Sequence, residues 1–224
     1  MSAIRDIPLR ERKFAQTKLA LLNAAISALE TKPLEEISVK ELCEKAVVSE
    51  GTFFNYFSKK SDILVYFIHL WSLEVIMKAE KNTGKSSALK IIEQIFELTG
   101  TRNLRGNLRT FDEIIAYFAL MPVPFTEHVT ELTLAEKLLA FPEADGIEDI
   151  PSGGLITVFM PYLEKALENG ELPKDTDLTI VLVSLISIFF GTRMALRLRD
   201  PESVPAVYKS QLELLWEGVK NKYR

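Results

Sequence analysis

Apolar residues recur at helical spacing along most of this chain, and that rhythm leaves little room for a sheet. Between Arg10 and Thr31, Ala15, Leu19, Leu22, Ile26 and Leu29 follow one another at alternating steps of four and three. Such steps keep side chains on one face of a helix, so the segment predicts a single amphipathic helix of about five turns. Pro33 closes it, because the residue before a proline is pushed out of the α region. Repeated strand-like alternation, internal repeats and low-complexity tracts are absent, and the predicted class is all-α.

Start signals mark the helices that follow. In "SVKE" Ser38 can cap while Glu41 reaches back, a capping box that opens a short helix to about Ala46 and turns Leu42 and Cys43 inward. Ser49 caps the next helix, through GTFFNYF. Ser58 is the third candidate cap, opening a long helix from Lys59 to about Lys81 with Leu64, Phe67, Ile68, Trp71 and Val75 as its inner stripe. NTGKSS then reads as a turn. Further helices are predicted near 86–99, 107–121, 125–140, 154–169, 175–198 and 202–221, with an acidic Gly/Pro-rich loop at 142–154.

Composition narrows the function classes. At 224 residues, 47% hydrophobic and 26% charged, the chain has material for one large or two modest domains. The single cysteine, Cys43, excludes an internal disulfide and a cysteine-based zinc site. His128 with Glu131 would give only two ligands, too few for a metal, and no cofactor is expected. Phosphate-binding, dinucleotide-binding and nucleophile-elbow signatures are missing, so an enzyme is not expected. The start of the chain shows no apolar signal region, which points to the cytoplasm. The longest apolar run, Leu178 to Phe190, is thirteen residues and includes Thr179, Ser184 and Ser187. That is short for a bilayer, so a buried helix is expected and no membrane partner. Net charge is −4, yet residues 1–60 carry 10 Lys/Arg against 8 Asp/Glu, leaving 17 against 23 for the remainder. A mildly basic head on an acidic body remains compatible with phosphate binding, because the field is local.

Caps at Ser38 and Ser49, eleven residues apart, match a helix-turn-helix, whose second helix offers its first residues to the major groove. Close crossing of the two helices needs a small residue, and Cys43 supplies it. Val47 and Val48 form the turn; Gly51 lets the backbone approach DNA, and Thr52 can donate to a phosphate or touch a thymine methyl. Helix N-termini attract phosphate in addition. Glu50 has two open readings, a favourable charge at the helix dipole or an acceptor for a cytosine amino group. Arg10, Arg12, Lys13 and Lys18 either line a phosphate strand or form a solvated face.

The stretch "EISVKELCEKAVVSEGTFFNYFSKKSDIL", within a match from about Leu19 to Leu64, resembles the DNA-binding domain of the tetracycline-repressor-like (TetR) transcription regulators. The resemblance implies that Ser49 and Thr52 contact phosphate and groove edge. It places Phe54 and Asn55 on the face toward DNA, Tyr56 and Lys60 on phosphates, and Phe53 and Phe57 inward. Three positions depart from the family pattern: Cys43 replaces the usual alanine, Phe54 a frequent tyrosine, and Val47 the usual turn glycine. A β-branched residue at positive φ is an outlier, so Val47 predicts an altered turn or local strain.

The expected organisation is a DNA-binding head, residues 1–60, joined through the helix at 59–81 to an effector-binding and dimerisation domain, 61–224. Ser184, Ser187 and Gly191 would let a second helix approach closely, and Tyr208, Leu212 and Leu215 lie on one stripe of the last helix. In the family such a pair forms a four-helix bundle with a second copy; core of a single chain is the other reading. Trp71, Phe96, Phe111, Ile115, Phe118, Met121, Phe159 and Tyr162 are either ordinary core or the wall of an apolar effector cavity. Arg102, Arg105 and Arg109 are a solvated face or hold an anionic head group. The resulting expectation is a ligand-responsive homodimeric repressor that leaves a pseudo-palindromic double-stranded operator when a small lipophilic effector binds. The alternatives are a helical body that contacts a protein instead, or a helical enzyme.

Overall fold

The computed structural model describes residues 3–84, 87–101, 108–120, 131–196 and 201–223, and every regular element among them is helical. The chain divides into two compact units, Met1–Leu73 with Gly106–Ser152, and Glu74–Arg105 with Gly153–Arg224.

In the first unit a short α1 (Ala3–Asp6) leads into α2 (Leu9–Leu29), followed by α3 (Val39–Ala46) and α4 (Glu50–Tyr56). The buried face of α2 is Ala15, Leu21, Leu22, Ala24, Ala25, Ala28 and Leu29, while Leu19 and Ile26 are only half-buried. Alanines set this face because their small side chains admit α3 and a later helix, α8 (Leu134–Ala140), both packed on α2. Large residues elsewhere on α2 outweigh alanine in a hydropathy pattern, so the expected stripe is displaced.

Ser38 caps α3 as expected, its Oγ accepting from the Glu41 amide at 3.1 Å. The Glu41 carboxylate instead takes the Lys32 ammonium, which holds its carboxyl below the usual range, with Lys45 3.9 Å away. The long helix α5 (Asp62–Thr83) begins three residues later than expected. Asp62 accepts from the Lys59 amide at 3.1 Å, so the start is organised by Asp62 and Ser58 does not cap it. All five residues of the predicted inner stripe of α5 are buried. Its residues through Leu73 belong to the first unit and the rest to the second.

Two further helices complete the first unit, α7 (Leu108–Leu120) and α8. Glu113 of α7 accepts the Leu34 amide at 3.1 Å, in the 3-10 turn Leu34–Glu36 before α3. Thr133 and Glu136 form a reciprocal capping box at the start of α8, and the other Glu136 oxygen meets Lys18 of α2 at 2.6 Å. Of the helix predicted at 125–140, only α8 falls among the described residues.

The second unit contains α6 (Ala88–Gly100), α9 (Leu155–Glu168), α10 (Leu178–Leu196) and α11 (Val204–Lys222). Ser87 caps α6, and Glu171 accepts from the Ser87 hydroxyl and the Ala88 and Leu89 amides, which satisfies the open end of that helix. Glu171 is held below its usual pKa by these bonds, against the opposing pull of burial. Phe96 stacks on Phe159 at 5.3 Å and meets Tyr208 edge-on at 4.9 Å. α6 and α11 approach closely at Gly100, where an added Cβ would lie 2.9 Å from the Pro205 ring. The nineteen residues of α10 extend beyond the thirteen-residue apolar run and are enough to cross a membrane by length and composition. Here the helix packs against α9 and α11.

Candidate nucleic-acid interface

The head is built around a turn that the sequence makes difficult. Val47 closes α3 in the left-handed region, φ 58° and ψ 47°, and is the only non-glycine residue with positive φ among those described. The turn thus keeps the geometry that glycine normally supplies and forces a valine into it. The Val48 amide donates to the Cys43 carbonyl at 3.0 Å, and the Val47 amide to that of Glu44 at 3.3 Å, which satisfies the end of α3. Cys43 is buried, and burial, then the charge of Glu50, pushes its thiol pKa up.

Two residues on, Ser49 caps α4. Its Oγ accepts the Thr52 amide at 3.1 Å and lies 2.8 Å from the Thr52 hydroxyl. A hydroxyl pair is therefore held at the start of the recognition helix, beside exposed Glu50 and Gly51. Seven residues cannot sustain a helix alone; Phe53 and Phe57, 0% and 4% exposed, anchor α4 from beneath with ring centroids 5.5 Å apart. Away from that anchor α4 carries Phe54 at 53% exposure and exposed Asn55, and Tyr56 is half-buried. Lys13 is exposed on α2.

Two cations take other partners. The Lys60 ammonium donates to the carbonyls of Leu34 at 2.6 Å, Ile37 at 2.7 Å and Glu35 at 3.2 Å. This corrects its expected place on a phosphate: Lys60 ties the start of α5 to the turn before α3. Lys18, considered for a phosphate strand, is largely buried against Glu136, 4.2 Å from the Tyr66 ring centroid. Phe14 of α2 lies edge-on to Tyr56 at 4.4 Å, a contact that periodicity alone does not signal because Phe14 is 40% exposed and off the buried stripe.

The effector candidates fall in both units. In the first, Trp71 and Phe111 meet at 6.0 Å and Ile115 is buried. In the second, Phe96 and Phe159 stack, and the Tyr162 hydroxyl donates to Glu80 at 3.0 Å. Burial and the Glu80 charge push the Tyr162 pKa up. The side chain of Phe118 and the whole of Met121, Arg102, Arg105 and His128 lie outside the described residues, as does the Arg109 side chain.

Along α10, Ser187 and Gly191 are exposed and Ser184 half-exposed. Both serine hydroxyls bond back to their own helix, at the Ile180 and Val183 carbonyls, 2.8 Å each. Ile180, Val183 and Met194, between 51% and 62% exposed, flank them. On α11 the expected stripe divides. Tyr208 and Leu212, 1% exposed each, belong to the interior of the unit, with the Tyr208 hydroxyl donating to the Phe189 carbonyl at 2.7 Å. That corrects their expected place against a second copy. Leu215 is half-buried, and Leu214, 69% exposed, is the open apolar group beside it.

Comparison with known proteins agrees with this geometry. Residues 21–67, from α2 into α5, match the profile of the family described as "Bacterial regulatory proteins, tetR family". The "Fatty acid metabolism regulator protein" of Bacillus subtilis (strain 168) is 23% identical over 211 residues, 91% of this chain and 96% of that protein. Two solved structures share the fold. FadR from Thermus thermophilus, in complex with lauroyl-CoA, is 19% identical with a TM-score of 0.60, over 90% of this chain and 94% of that one. FadR from Bacillus subtilis, in complex with stearoyl-CoA, is 18% identical with a TM-score of 0.55, over 90% and 98%.

Proposed function

Because the chain belongs to the TetR family of bacterial regulatory proteins, we propose that it is a homodimeric transcriptional repressor that releases its operator when a long-chain acyl-CoA binds. DNA binding and response to a lipophilic effector are the family's business; the acyl thioester is our narrower reading, supported by the ligands of two relatives of the same fold. The observation that carries the DNA-binding part is α4 itself, anchored by buried Phe53 and Phe57 and capped by Ser49, with Asn55 exposed and Thr52 and Tyr56 half-buried. Residues 1–60 would read DNA and residues 61–224 would sense and dimerise, in the cytoplasm and without catalysis. Effector binding would act by favouring one of two conformations of the dimer.

The test is to select fragments of the source genome on the full-length chain and titrate the recovered duplex with lauroyl-CoA and stearoyl-CoA. Micromolar thioester should release the DNA, while free coenzyme A should not. Selective binding with no response to either thioester would overturn the acyl-CoA reading and favour a body that contacts a protein.

A further inference from the structure

Tyr56 is the last residue of α4, and the chain leaves the helix at Phe57, where the backbone becomes extended. No following turn of its own helix supports the Tyr56 ring. The hydroxyl makes no hydrogen bond among the described residues. A phenol at a frayed end would sample several rotamers, and ordering it on a ligand would cost entropy.

The support comes from another helix. Phe14 of α2 meets the Tyr56 ring at 4.4 Å between centroids and 61° between planes, the edge-to-face arrangement that aromatic quadrupoles favour. Phe14 is 40% exposed, so burying it does little for the core. Arg10 and Thr17 share its side of α2, four and three residues away, and Lys13 is its immediate neighbour in sequence. Arg10 and Lys13 are exposed, and the Thr17 hydroxyl donates to the Lys13 carbonyl at 3.0 Å. An aromatic brace thus sits beside cations, next to a hydroxyl without a hydrogen bond among the described residues.

We propose that Phe14 is a positioning residue for DNA binding: it holds the Tyr56 ring so that the hydroxyl donates to a backbone phosphate of the strand that Arg10 and Lys13 attract. This rests on the DNA-binding reading above. Phe14 touches no base, so its effect does not depend on DNA sequence. The Tyr56 hydroxyl is neutral and releases no counterion, so losing its contact lowers affinity but leaves the salt slope intact, whereas losing Lys13 lowers the slope by about one.

The experiment uses the full-length chain and a duplex enriched on it from a random-sequence pool, with a scrambled duplex alongside. Phe14→Ala and Tyr56→Phe should each weaken binding by about tenfold, equally on both duplexes, with unchanged salt slope. The double variant should be no weaker than either single one, and Phe14→Trp should restore most of the affinity. Circular dichroism and melting of each variant establish that the fold is kept. Should Phe14→Ala fail to fold, the Phe14→Trp and Phe14→Leu pair decides, since only the first keeps an aromatic brace. Independent, additive losses, a lowered slope with Phe14→Ala, or equal binding by the Trp and Leu variants would overturn the positioning role. If the unaltered chain enriches no duplex, the DNA-binding reading falls and takes this proposal with it.

Discussion

Val47 carries the strain of the head in a single dihedral. Its left-handed φ of 58° brings Cβ too close to the neighbouring carbonyl, and the conformation costs roughly 1–2 kcal/mol in a residue with a side chain. No packing offsets this, because the side chain is 88% exposed. Val47→Gly removes the clash but loosens the unfolded chain, which takes back roughly 0.5–1 kcal/mol. The net expectation is a gain of about 0–1.5 kcal/mol, a rise of up to roughly 3–6 °C in Tm for a chain of this size. Val47→Asn, which tolerates the left-handed region at a smaller entropic cost, should gain at least as much. Thermal and urea denaturation measure both. Destabilisation by both substitutions would mean that the valine makes a contribution its exposure does not reveal.

The junction of α2, α5 and α8 shows what an element can hide from its own sequence. His69 of α5 is 4% exposed, and its Nδ1 makes no hydrogen bond among the described residues. Burial, then the charge of Lys18, pushes its pKa from the usual 6.5 down to about 4, with Glu136 pulling the other way. The folded state therefore keeps His69 neutral where the unfolded chain binds a proton. Stability from this group is complete above pH 6.5 and is lost as pH falls toward 4, by at most about 1.4 kcal/mol per pH unit. His69→Gln should flatten the fall in stability between those limits in urea titrations; an unchanged slope would show that the histidine already charges in the native state. None of this was visible in the sequence, because Lys18, His69 and Glu136 are far apart along the chain. The same limit explains Lys60, whose carbonyl partners lie 23 to 26 residues earlier. Caps at Ser38 and Ser49 were legible for the opposite reason, since each bonds an amide three residues on. For α4, the Ser49 cap foretold the helix, while the burial of Phe53 and Phe57 was implied by the family resemblance. On α10 and α11 the spacing identified apolar stripes but could not tell the chain's own core from a face left for a partner, because α10 is apolar nearly all round.

At the scale of the whole molecule that distinction becomes a measurement. Two recognition helices must stand about one helical turn of DNA apart to read a symmetric site, so the dimer is part of the DNA-binding surface. Its affinity is multiplied by the link between the two heads, commonly by 10² to 10⁴ when both engage at once. Ile180, Val183 and Met194 on α10, and Leu214 on α11, are the large apolar groups that the second unit leaves open on these helices. A charge at Val183, 56% exposed, would be solvated in a single chain and desolvated at a joint between two. Val183→Glu should therefore leave helical content nearly unchanged, shift sedimentation from dimer to monomer, remove the concentration dependence that dimerisation gives to Tm, and weaken operator binding by about a hundredfold. Leu212→Ala makes the contrast. Buried in the unit's interior at 1% exposure, it should cost about 2–5 kcal/mol of stability and affect association only as folding fails. A Val183→Glu chain that stays dimeric and binds the operator as before would move the joint off this face of α10. A Leu212→Ala chain that stays folded but dissociates would mean that the last helix presents Leu212, and not Leu214, to its partner.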